Sequence, residues 1–213
     1  MILSDSFTSF IEGVLSYMDA GGIVMWPLGL LSLLMWCLII ERLAYISSLY
    51  RKPMSFSEAA TCIANCRMPD GECRTGAIFR LTAAFLATRS GNPRLDCRIL
   101  EENVLRLNQT LTHRLALIGV LGAIAPLLGL LGTVTGMITT FDVMAVYGTG
   151  NAKAMAAGIS EALITTQTGL LVAIPGLYMK NFLERRSRNL AKKITSASLY
   201  LQRQLSSGES LQR

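Results

Sequence analysis

Three long segments without charge constrain the fold of this chain more than any other feature. Residues 20–40 hold no charged side chain over 21 positions, and residues 115–141 hold none over 27. In residues 154–179 the only charged side chain is Glu161. A helix of about 20 apolar residues crosses the roughly 30 Å hydrocarbon core of a bilayer. The sequence therefore predicts an all-α membrane protein with three transmembrane helices.

The basic residues indicate how these helices are oriented. Of the 20 Lys and Arg residues, 11 lie in residues 41–114, 8 lie in residues 180–213, and the remaining one is Lys153. Loops rich in Lys and Arg stay in the cytoplasm, so the N-terminus is predicted outside and the C-terminus inside. The same rule accounts for the isoelectric point near 9.3. Since no aromatic and basic platform accompanies these charges, we expect no nucleic-acid partner.

The apolar pattern outside the spans predicts further helices. Residues 1–19 have apolar side chains at helical spacing and no basic start, which is typical of an amphipathic helix on the outer membrane surface rather than a cleaved signal. Apolar positions from Leu100 run without a breaker into Leu115, so the second span is predicted to begin as a cytoplasmic helix. Membrane lipid is an expected partner. The predicted order is a periplasmic amphipathic helix at 1–19, transmembrane helices at 20–40, 115–141 and 157–180, a cytoplasmic helical domain at 41–114, a periplasmic loop at 142–156, and a cytoplasmic helical tail at 181–213.

Cysteine and histidine do not supply a chemical centre. Cys62 and Cys66 are separated by three residues, which is not the paired spacing of a zinc site. His113 is the only histidine, so a histidine-based triad or a multi-histidine metal centre is impossible. Thiols in the cytoplasm stay reduced, and we interpret the cysteines as plain thiols. We expect no metal, no cofactor and no enzymatic activity.

Small residues recur every three or four positions along the second and third predicted spans. Such faces let helix backbones approach closely in lipid, where packing drives association. On that account the faces are predicted to bring copies of the chain together in a closed ring. The predicted helix-packing residues are Gly122, Pro126, Gly129 and Gly136 in the second span and Gly158, Gly169 and Pro175 in the third.

Glu161 is the strongest functional candidate, because an ionisable side chain in hydrocarbon is costly unless it faces a bundle interior or water. Thr165 and Thr168 lie on the same helical face, four and seven residues later. Hydroxyl groups donate and accept hydrogen bonds, so rings of them in an oligomer can hold water and relay protons. The alternative for each threonine is a hydrogen bond back to its own helix, and this alternative is the more common one.

A depth argument adds a second pair of hydroxyl groups. If the hairpin between the second and third spans turns near Thr149-Gly150, Thr133 and Thr166 lie at the same level of the membrane. Both belong to the small-residue faces. We therefore predict that Thr133 and Thr166 lie in one polar layer of a pore.

Two stretches of these spans resemble a known family. The two stretches are APLLGLLGTVTGMITTF and GTGNAKAMAAGISEALITTQTGLLVAIPG. They are similar to the ExbB, TolQ and MotA family of proton-channel subunits, and their sequence is nearest ExbB. The resemblance covers roughly residues 115–182. It implies a bacterial inner-membrane motor in which five such subunits surround two copies of an ExbD-like single-span partner. It also implies that Thr133 and Thr166 lie beside the partner's membrane aspartate, and that proton flow drives a TonB-like protein.

Other functions stay open at this point. A TolQ-like subunit would energise envelope maintenance instead of uptake, and the two subfamilies share the pore motif. A passive membrane scaffold would use the small faces for packing but leaves Glu161 unexplained. A solute carrier would need inverted repeats or broken helices, which the three spans do not show. The large cytoplasmic insert typical of MotA is absent, which disfavours a flagellar stator.

Overall fold

The computed structural model describes residues 2–50, 55–64, 76–148 and 151–210. All regular structure in these ranges is α-helical, and no strand occurs in them, which confirms the predicted all-α class. The helices are α1 Ile2–Ala20, α2 Met25–Tyr50, α3 Phe56–Ala64, α4 Ala77–Thr88, α5 Pro93–Thr112, α6 Leu115–Tyr147 and α7 Ala152–Ser210.

Three helical stretches are long and apolar enough to cross a membrane. They are Met25–Tyr50, Arg94–Tyr147 and Ala152–Gln204. Their number confirms the prediction of three spans. The orientation of the chain and its assembly into a ring stay predictions.

Glycine and asparagine set the ends of the long helices. Gly22 has a φ of +68° between α1 and α2, and Gly148 has a φ of +66° directly after α6. Glycine adopts this left-handed backbone at no steric cost, which is why it so often follows a helix. Asn151 precedes α7, and its side-chain oxygen accepts a hydrogen bond from the Ala154 amide at 3.2 Å, as an N-cap does. The turn predicted near Thr149-Gly150 falls on residues outside the described ranges.

The helix is interrupted at residues 113 and 114, between α5 and α6, where the sequence analysis predicted one continuous helix. Arg114 adopts a φ of +68°, and the His113 amide donates to the Gln109 carbonyl oxygen at 3.0 Å to close α5. Arg42 Nη1 donates to the Thr110 carbonyl oxygen at 3.1 Å, and Arg114 pairs with Glu41. Apart from residues 113 and 114 the stretch Arg94–Tyr147 is helical, and no glycine or proline in the sequence marks the interruption. A left-handed arginine is instead stabilised by its ion pair, and the carbonyls at the end of α5 gain a side-chain donor.

The described chain forms two compact units. The first unit comprises Met1–Ile39 and Leu117–Lys180, and the second comprises Ile40–Ala116 and Asn181–Arg213. The second unit has a core of large apolar side chains contributed by α2, α3, α4, α5 and the later part of α7. The largest of them, each less than 2% exposed, include Phe85, Leu81, Leu100, Leu111, Ile194 and Leu201.

Asp96 organises the short connection between α4 and α5 in the second unit. Its carboxylate is 1% exposed and accepts a hydrogen bond from the Ser90 amide at 2.8 Å. Arg89 donates to the same carboxylate from Nε at 3.3 Å and to the Ile63 carbonyl oxygen from Nη1 at 2.8 Å. A buried carboxylate is stable when it is paired and hydrogen-bonded in this way. The second unit is therefore held by an apolar core with one buried ionic group beside it.

Candidate functional site

The first unit is built around an antiparallel pair formed by α6 and α7. Residue numbers increase along α6 while those of the facing residues in α7 decrease. Gly122 lies against Leu177, Gly129 against Thr166, and Gly136 against Ala162. This is the arrangement that the predicted hairpin requires. The small-residue faces of the two helices are the surfaces that meet.

The two backbones touch along the line where the small-residue faces of α6 and α7 meet, which we call the seam. A Cβ on Gly136 would lie 2.7 Å from the Gly158 carbonyl oxygen, and a Cβ on Gly169 would lie 2.8 Å from the Ala125 carbonyl oxygen. Real Cβ atoms do not approach other atoms under 3.0 Å. Any side chain at these positions would push the helices apart, because backbone atoms cannot move aside as a flexible side chain can.

The small faces have a use that the sequence analysis did not predict. They were predicted to bring copies of the chain together, and in the structure they pack against each other within one chain. The assembly of copies into a ring stays a prediction. The other predicted packing residues lie on the same two helices. A Cβ on Gly129 would lie 3.1 Å from the Thr165 carbonyl oxygen and 3.2 Å from the Thr166 Cα, and Gly158 lies against Thr140. Pro126 and Pro175 lie inside α6 and α7, which continue through them. Spacing alone cannot distinguish the two uses, since a close helix pair needs small residues wherever its partner comes from.

The four predicted threonines all hydrogen-bond to backbone carbonyl oxygens. Thr133 donates to Leu130 at 2.7 Å, Thr165 to Ala162 at 2.9 Å, and Thr168 to Ile164 at 2.7 Å. Thr166 shares its proton between the carbonyl oxygens of Ala162 at 3.1 Å and Gly129 at 3.3 Å. The alternative weighed for each threonine, a bond back to its own helix, is thus what the structure contains. Each hydroxyl oxygen keeps its capacity to accept a hydrogen bond.

Thr133 and Thr166 lie within about one helical turn of the same level. Thr166 lies against Gly129, which precedes Thr133 by four residues in α6. Both threonines are half-buried. The two threonines therefore lie on the same pair of helices at similar levels. Each hydroxyl donates its hydrogen bond to a backbone carbonyl oxygen and not to the other threonine.

Glu161 lies one turn before Thr165 on α7 and is half-buried. Its carboxylate rests against Gly22, in the turn between α1 and α2. A Cβ on Gly22 would overlap Glu161 Oε1 and lie 2.7 Å from Cδ of the carboxylate. Thr165 is fully buried and lies against Gly132 of α6. The one charged side chain of this part of α7 is thus covered on one side by backbone.

Thr168 has a second partner that the sequence analysis missed. The Tyr17 hydroxyl lies 2.9 Å from Thr168 Oγ1. The side chain of Met18 also comes within 3.6 Å of the position that a Cβ on Gly29 would take, so the last turns of α1 lie beside both α2 and α7. The adjacent glycines Gly21 and Gly22 are a signal for a turn. Helical periodicity carries no information about which helix the turn will contact.

Glu161, Thr165 and Thr168 form a polar stripe on α7, and we use this name for the three residues below. A carboxylate can take up and release a proton, and hydroxyl oxygens can accept hydrogen bonds from water or from a donor. An ionisable group in a span is typical of ion pathways and proton relays. In the described part of the chain, no three His, Cys, Asp or Glu side chains are grouped so that they could hold a metal ion.

A model of the MotA/TolQ/ExbB proton channel family matches residues 77–196, which is more than half of the chain. The chain belongs to this family. The match begins at α4 and includes the α6 and α7 seam and the polar stripe. It confirms the family that the residues of the second and third spans resemble, and with the three apolar helices it identifies a multi-pass membrane protein of a proton-channel class.

Individual relatives carry ExbB names. The "Putative biopolymer transport protein ExbB-like 1" of Synechocystis sp. is 36% identical over 162 residues, which is 72% of this chain and 64% of that protein. "ExbB-like 3" of the same organism is 32% identical and is covered to 80%. The "Biopolymer transport protein ExbB" of Aquifex aeolicus is 42% identical over 83 residues, with 39% of this chain and 56% of that protein covered. The chain thus spans somewhat less than two thirds of several of these relatives.

Proposed function

We propose that this chain is an inner-membrane motor subunit that uses the proton motive force to energise TonB-dependent uptake across the outer membrane. It would act with a single-span partner of the ExbD type, in a homo-oligomeric ring that we expect to be a pentamer. The observation that carries the proposal is Glu161, a single carboxylate in an uncharged membrane-length segment of a proton-channel family member. The ExbB names of the relatives support the uptake branch.

The chain itself supplies part of the proton route in this proposal. Glu161 would exchange the proton or stabilise its passage, while Thr133, Thr166 and Thr168 would accept hydrogen bonds from water or from the partner's aspartate. Thr165 is fully buried against α6 in this conformation. The predicted spans, residues 20–40, 115–141 and 157–180, contain no aspartate, and Asp142 follows directly after the second of them. The subunit is therefore expected to be inactive without its partner.

A TolQ-like role in envelope maintenance is the second candidate. The family model covers both branches, so the family match supports it equally. A cell that lacks the chain would then show envelope leakage with normal uptake of iron chelates. The passive scaffold, which belongs to a different class, would tolerate loss of the Glu161 charge.

Replacement of Glu161 tests the proposal. Glu161→Gln keeps the size of the side chain and removes its charge, and we expect it to abolish energised uptake of an iron chelate while the complex still assembles. Ser160→Ala is the matched control, because Ser160 is the exposed neighbour on the same helix. Uptake is measured in cells that lack the chromosomal copy, and assembly is followed by native electrophoresis. Wild-type uptake by Glu161→Gln and by Glu161→Ala would overturn the assignment.

Replacement of the threonines tests the polar layer. Thr133→Val and Thr166→Val keep the shape and remove the hydroxyl, so each should reduce proton-driven uptake, whereas serine should be tolerated. The double valine variant should be little worse than the more damaging single, because residues in one pathway are not additive. If both valine variants energise normally, the hydroxyls only bond to their own helices.

A further inference from the structure

The last turn of α1 and the turn that follows it contact the two ends of the polar stripe. Gly22 lies against the Glu161 carboxylate, and Tyr17 bonds to Thr168. Glu161 and Thr168 are seven residues apart in α7, which is about 10 Å along the helix. Tyr17 and Gly22 are five residues apart. A single short segment, residues 17–22, therefore reaches both ends of the stripe.

The contact at Gly22 requires glycine for two separate reasons. Its φ of +68° lies in the left-handed region, which other residues adopt at a cost. In addition, a Cβ would overlap Glu161 Oε1, so the carboxylate at the end of this flexible side chain would have to leave its present position. Gly148 has nearly the same backbone, with a φ of +66°, but a Cβ there would meet nothing within 4 Å. The difference between the two glycines is the carboxylate.

The contact at Tyr17 has a defined direction. A threonine hydroxyl has one proton, and that of Thr168 is donated to the Ile164 carbonyl oxygen at 2.7 Å. Thr168 Oγ1 therefore accepts, and the Tyr17 hydroxyl donates across the 2.9 Å that separates them. Tyr17 supplies the stripe with a side-chain donor from a helix outside the α6 and α7 pair.

We propose that Gly22 and Tyr17 are positioning residues of the proton-handling site. Because Gly22 has no side chain, it leaves space for the Glu161 carboxylate against its backbone. Tyr17 orients the accepting oxygen of Thr168. The segment from Tyr17 to Gly22 thus fixes the two ends of the stripe relative to each other. This inference rests on the proposed function, since it assigns these residues to the same site.

Paired variants test the contact between Gly22 and the Glu161 carboxylate. Gly22→Ala should lower energised uptake at least about tenfold, because a displaced reacting group loses activity steeply with distance. Gly148→Ala is the matched control, because it imposes the same left-handed strain without the carboxylate, and its uptake should stay near that of the wild type. Glu161→Asp withdraws the carboxylate by one methylene. In the Gly22→Ala background it should therefore raise uptake above that of Gly22→Ala alone, which a merely structural defect at Gly22 would not allow.

A second pair of variants tests the donor and does not depend on whether Gly22→Ala folds. Tyr17→Phe removes only the hydroxyl and should lower uptake about three- to tenfold, the range expected for one hydrogen bond. Tyr178→Phe is the control, because Tyr178 is 70% exposed on α7. All variants are compared in cells that express the full chain with its partner, at equal amounts of assembled complex.

The possible results separate this inference from the proposed function. Loss in Gly22→Ala and Tyr17→Phe with normal uptake in both controls supports the inference. If Gly22→Ala matches Gly148→Ala and Tyr17→Phe matches the wild type, while Glu161→Gln is inactive, the inference is overturned and the proposed function stands. Normal uptake by Glu161→Gln overturns both.

Discussion

The two units of this protein are packed by opposite means. In the first unit, α6 and α7 meet through glycines, and the closest approaches are between backbone atoms. In the second unit, the core consists of large aliphatic and aromatic side chains such as Phe85, Leu100 and Ile194, each less than 2% exposed. On the first unit's helices, by contrast, many large side chains face outward, with Leu127 64% and Leu171 68% exposed.

The predicted surroundings of the two units, lipid for the first and water for the second, account for the difference. In water, burying large apolar side chains is the main favourable contribution to folding. In lipid, a leucine gains little by leaving the hydrocarbon for another helix, so close contact between backbones becomes the better source of attraction. The same residue types therefore have opposite positions in the two units. The comparison predicts that enlarging a small residue damages the first unit and that shrinking a large residue damages the second.

The largest effect is expected at the glycine seam. Gly169→Leu would place a side chain where the Ala125 carbonyl oxygen and the Gly129 Cα lie at 2.8 and 3.1 Å from the Cβ position. We expect the assembled complex to be lost altogether, because a leucine side chain has no space between two backbones that already touch and forces the helices apart. Native mass spectrometry of the extracted protein measures this. Gly13→Leu is the control, since a Cβ there meets nothing within 4 Å. An unchanged oligomer in Gly169→Leu would show that the seam is not needed for assembly.

A smaller effect is expected in the core of the second unit. Phe85→Ala should lower its stability by about 3–5 kcal/mol, the cost of removing a fully buried ring. Cys62 is half-buried against this core, so its alkylation rate, followed by peptide mass spectrometry, reports on opening. We expect that rate to rise at least about a hundredfold, whereas Leu105→Ala, at a 59% exposed position, should leave it unchanged. Equal rates in the two variants would mean that the core does not hold this unit together.

The smallest effect is expected at the surface of the same unit. Arg106 donates to Glu102 at 2.7 Å, four residues earlier in α5, and both side chains are more than half exposed. Exposed pairs of this kind contribute about 0.3–0.5 kcal/mol. Glu102→Gln should therefore change the Cys62 alkylation rate less than about threefold. A change as large as that of Phe85→Ala would show that exposed charges, and not the apolar core, dominate this unit.

The membrane fold was largely predictable from the sequence. Uncharged length identified three helices, and the small-residue spacing identified the faces of α6 and α7 that pack most closely. These features follow from local rules on charge, length and side-chain size. Glu161 was also identifiable, because a lone charge in a span stands out without any structure.

Features that depend on contacts between distant segments were not predictable. The small faces fit a neighbour from the same chain or from another copy, and sequence spacing is the same in both cases. The break at Arg114 has no glycine or proline to mark it and depends on the partner Glu41, 73 residues earlier. The contacts of Tyr17 and Gly22 with α7 join positions 151 and 139 residues apart, although Gly21 and Gly22 do mark a turn.

The hydrogen bonds of the four threonines have a consequence for speed. Each hydroxyl proton is held by a backbone carbonyl, so in this conformation the threonines offer incoming protons only lone pairs. To hand a proton onward, a threonine must turn its hydroxyl hydrogen away from its carbonyl, by rotation about the Cβ–Oγ bond or about χ1. Threonine in a helix populates two χ1 rotamers, and exposed side chains change rotamer in picoseconds to nanoseconds. Rotation of the three partly exposed threonines, Thr133, Thr166 and Thr168, is therefore far faster than the microsecond to millisecond movements of whole helices. Under the proposed function, helix movement rather than hydroxyl rotation is expected to set the pace of a proton's passage.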